Sequence, residues 1–468
     1  MSSDWPLTTL QKAGITLIDC DHKTPKAQSS GFPYIGIPQL KNGRIEIRGA
    51  RLISKEDFDH WRRKAKPKAN DVILSRRCNP GESAYVPEGM EIALGQNLVI
   101  LRSDGTKVYP PFLRWLAQGP QWWSQVNQFR NVGAVFDSLK CAEIPKFEVR
   151  LPPIESQKIV SNILQSLDSK IEINQQINQT LEQMAQTFFK SWFVDFEPVK
   201  AKISALEAGG SEEDALLAAM QAISGKDAAQ LAQLQAEHPD QYTELRTTAE
   251  LFPSAMQDSE LGEIPTGWNL SQIGDEVIVV GGGTPSTKNP AFWENGHIHW
   301  SSPRDMSNLR DKVLTDTERK ITDAGVAKIS SGLLPVNTVL MSSRAPVGYL
   351  ALTKVPTAIN QGYIALKCES ALSPEFALQW CSANMNEIKS RASGTTFAEI
   401  SKKNFKIIPV VVPSEDVIWE YSKHARRIYS QIENNVKETE SLTNIRDTLL
   451  PKLLSGSLSI PSTEAENK

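Results

Sequence analysis

Residues 70–87 read NDVILSRRCNPGESAYVP, and residues 337–354 read NTVLMSSRAPVGYLALTK. Laid together without a gap, they pair Asn70 with Asn337, Val72 with Val339, Ser75 with Ser342, Arg77 with Arg344 and Gly81 with Gly348. The match continues in order on both sides. DWPLTTL (4–10) parallels GWNLSQI (267–273), and ALGQN (93–97) parallels AINQG (358–362), which sets Gln96 against Gln361. PPFL (110–113) parallels PEFA (374–377), and GAVFDSL (133–139) parallels GTTFAEI (394–400). One such pairing is noise, but an ordered series at nearly constant offset is an internal duplication, which shapes every later reading of the chain.

Each copy opens with about 150 residues in which short β-branched runs (DVILS, TVLMS, YIALK) alternate with Gly, Pro and Asn clusters, the pattern of a mixed α/β domain. Each copy closes at a proline, Pro152 or Pro413, and a helical segment follows. In the first segment, one seam of a seven-residue frame runs Leu164, Ile171, Asn178, Ala185, Trp192, and the other runs Leu167, Asn174, Leu181, Phe188. In the second the seams are Ala425, Ile432, Thr439, Arg446, Leu453 and Ile428, Asn435, Leu442, Leu449. A sustained heptad predicts a coiled coil, and two equivalent helices in one chain are natural antiparallel partners. Amphipathic helices packed on their own domains are the competing reading. Asn174 and Asn435 hold equivalent seam positions, where a buried polar residue fixes register at some cost in stability.

The expected fold is therefore α+β: two homologous mixed α/β domains (1–152 and 263–413) joined by two long helices (153–198 and 414–457). An acidic helical connector spans 199–262, and a tail spans 458–468. Within the connector, helices are expected over 212–222 and 228–237, with a break at SGK.

A net charge of −3 conceals an uneven distribution. Residues 1–150 carry 22 Lys and Arg against 15 Asp and Glu, whereas residues 198–262 carry 4 against 11. A basic domain is what phosphate contacts require, although charge alone fits a solvated surface equally well. Five cysteines without a CxxC pair point to free thiols in a reducing cytoplasm. Neither a signal peptide nor a run long enough to span a bilayer is expected.

Catalytic signatures are missing. SGKD (224–227) lacks the spaced first glycine and following hydroxyl of a phosphate loop. NPAF (289–292) has alanine in the third place of an amino-methyltransferase tetrad, and Gly281–Gly283 lies too close before it to be a cofactor loop. No GxSxG elbow occurs. His297 and His299 have no neighbouring residues in the sequence that complete a metal site. The chain is expected to be no enzyme and to hold no cofactor or metal.

The order WxLxxIG, GGGTPS and W-S-S-P-R-D (268–305), then INQG (359–362), GTTFAEISKKNF (394–405) and a closing helix, resembles the specificity subunit of type I restriction–modification systems. LPPIESQKIVSNIL (151–164) carries the same resemblance in the first half. The first half departs where IDCDHKTPKAQ (18–28) replaces GGGTPS, though Thr24-Pro25 matches Thr284-Pro285. The resemblance implies two target-recognition domains, each reading one half of a bipartite, asymmetric double-stranded DNA site, spaced by an antiparallel coiled coil. It implies two modification (methyltransferase) subunits bringing S-adenosylmethionine for adenine methylation. Two restriction (nuclease and motor) subunits would bring ATP- and Mg-dependent cleavage. The competing readings are a fused methyltransferase or nuclease, and a coiled-coil scaffold that binds no DNA.

On this reading the DNA-binding candidates in the first half are Lys23, Lys26, Arg44, Arg48, Arg62, Arg63, Arg76, Arg77 and Gln96. In the second they are Lys288, Arg304, Asp305, Asn308, Arg344 and Gln361. Arginine pairs bidentately with guanine and glutamine with adenine. Arg77 and Arg344 are equally readable as salt-bridged scaffold residues. Partner-binding candidates are Phe189, Trp192, Phe193, Ile445 and Leu450, with Ile177 and Met184 beside them. The aromatic run FFKSWFVDF (188–196) exceeds what a two-helix seam buries; its alternative reading is core against the adjacent domain.

Overall fold

The structure, a computed structural model, describes residues 5–21, 23–133, 135–394 and 398–458. Asp4, Ala134 and residues 395–397 of the repeated motifs, and the expected tail beyond Leu458, lie outside the described residues. The chain divides into two compact units, residues 1–171 with 440–468 and residues 172–439, so each unit takes one α/β domain and a portion of both long helices.

The first unit holds a four-stranded sheet in the order Ile15–Asp19, Leu98–Ser103, Val72–Ser75, Ser83–Tyr85. Beside it stand a three-stranded sheet (Arg51–Ile53, Phe32–Ile35, Ala93–Leu94) and a strand pair, Leu7–Thr9 with Glu148–Arg150. The second unit repeats this plan. Its larger sheet runs Ile278–Gly281, Tyr363–Lys367, Val339–Ser342, Leu350–Thr353, with Val313–Leu314 added at the edge. Its three-stranded sheet is Arg319–Ile321, Ile298–Ser301, Thr357–Ile359, and its strand pair is Asn269–Gln272 with Pro409–Val412. Even register repeats: Val72 faces Tyr85, and Val339 faces Leu352.

The unbroken apolar runs that opened the sequence argument are strands covered on both faces. Val72 and Leu74 belong to one core, with Trp115, Trp122 and Phe147, while Ile73 enters another with Ile35, Leu94 and Ile100. Alternation of side chains sends successive residues to opposite faces, so a strand between two cores must be apolar throughout. Val339, Leu340 and Met341 divide between two cores in the same way. The turn after each strand closes on Gly81 (φ 97°) or Gly348 (φ 108°), left-handed positions that glycine takes without strain. A Cβ there would come within 2.6 Å of Val126 or 2.5 Å of Met385.

The long helices run Ile154–Phe193 and Glu415–Ser455, uninterrupted for 40 and 41 residues. Leu164, Ile171, Asn174, Asn178, Ala185 and Trp192 of the expected seam are buried, as are Ala425, Ile432, Asn435 and Leu453 opposite. Within the second unit, Asn174 Nδ2 donates to Glu438 (2.8 Å), Asn435 Nδ2 to Asn178 (2.8 Å) and Tyr429 Oη to Glu182 (3.0 Å). Residue numbers rise on one helix as they fall on the other, so the pair is antiparallel. The seam asparagines hold a polar network that also reaches Asp311, whose carboxylate accepts from Asn178 Nδ2 at 3.0 Å.

Each α/β domain seats on the helices through a buried polar cluster. In the first unit Asp168, 1% exposed, accepts from Arg114 through one oxygen and from Arg446 (2.8 Å) through the other, and Arg44 approaches to 3.3 Å. In the second, Glu182 accepts from Tyr429 and Gln379 (3.1 Å) and pairs with Lys312 (2.8 Å).

The aromatic run is core, which corrects the expected docking surface. Phe189, Trp192 and Phe193 are 3%, 0% and 7% exposed. They pack against Phe376, Tyr421, Phe252 and Trp268, because the second domain and connector bring more apolar surface to this end than a bare helix pair offers. Leu450 is likewise half-covered by the first unit's core. Ile177, Met184 and Ile445 remain 41%, 54% and 47% exposed.

The connector folds into four helices, Glu197–Glu207, Glu212–Ser224, Ala228–Glu237 and Pro239–Glu250. Ser211 and Asp227 cap the middle two, and Gly225 (φ 68°) ends the first of these at SGK. The outer two were not anticipated. The last three helices form a small core of Leu216, Ala219, Met220, Leu231 and Ala249.

Candidate nucleic-acid interface

The loop after the first strand of each domain's larger sheet (Ile15–Asp19 or Ile278–Gly281) is held at one carbonyl by an aromatic side chain from the smaller sheet. Tyr34 Oη donates to the carbonyl of Lys23 (3.0 Å), and Trp300 Nε1 donates to that of Gly283 (3.1 Å). The next residue is the threonine of Thr24-Pro25 or Thr284-Pro285. Thr24 Oγ1 accepts from Gln96 Nε2 at 3.0 Å, and Thr284 Oγ1 donates to Gln361 Oε1 at 2.5 Å. All four side chains are exposed. The two aligned glutamines thus stand in equivalent, tethered positions. The loops carry Lys23 and Lys26 in the first half and Lys288 in the second, all exposed. Trp61 Nε1 also donates to the Lys23 carbonyl (3.2 Å), which brings the end of helix Lys55–Trp61, and so exposed Arg63, to the same loop.

A second loop joins this face. Arg76 N–H donates to the Asn97 carbonyl beside Gln96 (2.8 Å), and Ser343 N–H donates to the Gly362 carbonyl beside Gln361 (2.8 Å). Arg77 is exposed with its guanidinium 5.5 Å from the Phe136 ring centroid. Arg344 is half-exposed, 3.5 Å from the Glu399 carboxylate. Arg48, Arg304 and Asn308 are also exposed, Arg304 lying 3.5 Å from Glu318.

Four expected DNA contacts are instead bound into the protein. Arg44 donates to the Asp168 carbonyl (3.0 Å) as well as facing its carboxylate. Arg62 lies over Phe58 (4.5 Å) and donates to Glu91 (3.1 Å). Arg76 has a side chain only 12% exposed, 3.9 Å from Asp19. Asp305 accepts from Ser302 N–H (2.7 Å) as the capping residue of helix Pro303–Asn308 and from Glu318 N–H (2.8 Å). A carboxylate with both oxygens engaged has little left for a cytosine amine. Sequence cannot separate the three arginines from free cations, since the carboxylates they meet (Asp168, Glu91 and Asp19) are distant along the chain.

Arg51 and Arg319 were missed. They stand at equivalent places, each opening its edge strand opposite Tyr34 or Trp300. Arg51 donates to the Pro25 carbonyl (3.1 Å), and Arg319 stacks 3.6 Å above Trp293. The signal is the register of the smaller sheets, which the alignment of motifs had not reached.

Among the described residues one group, Glu244, Glu420 and His424, has metal-like spacing. Lys423 Nζ already donates to both carboxylates there, so a side-chain cation stands between them. His299 lies 3.1 Å from Asp316, and burial lowers its pKa. No helix among the described residues is long and apolar enough to cross a membrane.

Comparison with known proteins agrees with the duplication. A family model for the type I restriction modification DNA specificity domain matches residues 19–183 and again residues 265–442. The specificity subunit of the type I restriction enzyme HindI from Haemophilus influenzae is 32% identical over 405 residues, covering 84% of this chain and 87% of that one. The MjaIX specificity subunit of Methanocaldococcus jannaschii is 31% identical over 196 residues, 42% of this chain and 45% of that one. In fold, the S subunit of a type I restriction–modification system from M. genitalium covers 97% of both chains, with a TM-score of 0.51 at 14% identity.

Proposed function

The chain belongs to the type I restriction–modification DNA specificity family, whose members are the non-catalytic, target-recognising component, and on that premise we propose that it reads a bipartite, asymmetric duplex. Residues 1–152 read one half-site and residues 263–413 the other. The helices 153–198 and 414–457 space them, and 199–262 connect them. The exposed residues of the paired loops meet the DNA: Lys23, Lys26, Arg48, Arg63, Arg77 and Gln96 in one domain, Lys288, Arg304, Asn308, Arg344 and Gln361 in the other. Two modification subunits then methylate adenine with S-adenosylmethionine, and two restriction subunits cleave with ATP and Mg, in the cytoplasm. Ile177 and Met184, seven positions apart on one long helix, and Ile445 on the other offer them exposed apolar side chains.

The observation that carries this reading is the pair of loops built alike in both domains while their exposed side chains differ: Lys26 against Ser286, Asn79 against Pro346. Shared architecture with divergent surface residues is what two different half-sites demand. The test replaces residues 1–150 with those of a relative of different specificity and maps methylation in cells carrying a modification partner. One half-site should change and the other persist. A target altered in both halves, or in neither, would end the proposal.

A further inference from the structure

The arginine loops repeat contact for contact in the two domains. Leu139 N–H donates to the Arg76 carbonyl (2.8 Å) and Ile400 N–H to the Ser343 carbonyl (3.0 Å). Arg77 bridges with Ser138, and Arg344 with Glu399, residues that align in the repeat. The residue after each arginine, Cys78 (φ 64°) or Ala345 (φ 58°), takes the left-handed conformation. Gly81 and Gly348 N–H groups each donate to the preceding serine carbonyl at 3.0 Å. Both backbones therefore start their arginine side chain in the same way.

The surroundings of the two guanidiniums differ. Arg344 has Glu399 at 3.5 Å, both side chains about 40% exposed. The aligned residue in the first half is Ser138, which offers Arg77 no carboxylate. An internal ion pair is therefore no reason for both halves to carry arginine here. Base reading is no better reason, because the same side chain launched from the same backbone would select the same base in two half-sites read by otherwise different residues. What two different half-sites always share is the sugar–phosphate backbone.

Resting on the DNA-reading function above, we propose that Arg77 and Arg344 each hold a phosphate of their half-site, positioning the duplex while neighbouring residues read it. Arg77 is the stronger of the two, since Arg344 must first leave Glu399.

The test measures binding of the full chain, assembled with its modification subunits, to cognate and non-cognate duplexes of equal length. Arg77→Ala should weaken both by the same factor and reduce the log–log salt slope by about 0.9, the contribution of one phosphate. The ratio of wild-type to variant affinity then shrinks about 3.5-fold between roughly 50 and 200 mM salt. Arg77→Lys should keep the slope, because a lysine ammonium still meets a phosphate as a point charge. Glu399→Gln should tighten binding to both duplexes, and the methylated sequence should be unchanged throughout. The proposal is overturned if Arg77→Ala and Arg77→Lys both make one position of the half-site degenerate while non-cognate binding holds. It is also overturned if neither slope nor affinity moves. Failure of the wild-type assembly to prefer cognate DNA would instead remove the underlying function.

Discussion

Replacing Asp168 with asparagine should loosen the first unit while leaving the second intact. The carboxylate is 1% exposed and faces three guanidiniums, from Arg114, Arg44 and Arg446. Arg114 itself is 4% exposed, lying 3.6 Å over the Tyr85 ring. Asparagine keeps the shape but strands a buried cation. Removing one member of a buried pair costs about 3–5 kcal/mol. Arg44 and Arg446 keep side-chain exposures of 21% and 18%, so water relieves them and the lower figure, about 3 kcal/mol, applies. For a unit of about 200 residues each kcal/mol moves the melting temperature by about 2–4 °C, giving a fall of about 6–12 °C. Hydrogen exchange read by mass spectrometry resolves the units: peptides from 1–171 and 440–455 should lose protection while those from 172–439 keep it. Acid dependence gives a second measure. Burial raises the Asp168 pKa, but Arg114, Arg44 and Arg446 outweigh it and hold the group below its usual value. Its stabilisation is therefore complete above the ordinary aspartate range, about pH 4, and disappears as pH falls through the lowered value. The difference between wild type and Asp168→Asn should be constant from about pH 5 to 7 and shrink in stronger acid. A loss below about 1 kcal/mol, or one spread evenly over both units, would refute the assignment of Asp168 as the seat of the first domain.

Asn178→Ala removes a partner from both Asn435 and Asp311 and should cost about 1–3 kcal/mol in denaturant unfolding of the second unit; a neutral result would mean water replaces the amide without penalty. Phe189→Ala should cost about 3–5 kcal/mol in the same assay, as an aromatic core truncation does. Ile177→Asp with Ile445→Asp should instead leave stability unchanged and reduce copurification with the modification subunit, an outcome that retained copurification at normal stoichiometry would contradict. Adding four residues to matching positions of both long helices extends each by about 6 Å and should lengthen the unread spacer between half-sites by about one to two base pairs in methylome sequencing. An unchanged spacer with full activity would show that the helices do not set the distance.

The architecture was legible because the chain states it twice. Chance alignment explains one pair such as Arg77 and Arg344 but not an ordered series, and a period of seven over 40 residues calls for a long amphipathic helix. Local chemistry was equally readable: glycine at 81 and 348, and the connector break at SGK, follow from what one residue's backbone allows. The fate of individual cations was not. Arg44 and Arg48 lie four positions apart in one basic segment, yet Arg44 meets Asp168, 124 residues away, while Arg48 stays in solvent. Phe189 and Phe193 read as surplus on a helix until a connector phenylalanine and the second domain's Trp268 and Phe376 arrive to cover them. Backbone preference and periodicity are properties of neighbours along the chain, so sequence alone determined the repeat, the strand runs it aligns and the two long helices. Burial and charge pairing depend on residues brought together from far apart, so only the tertiary structure decided which arginines face solvent and which aromatics form the core.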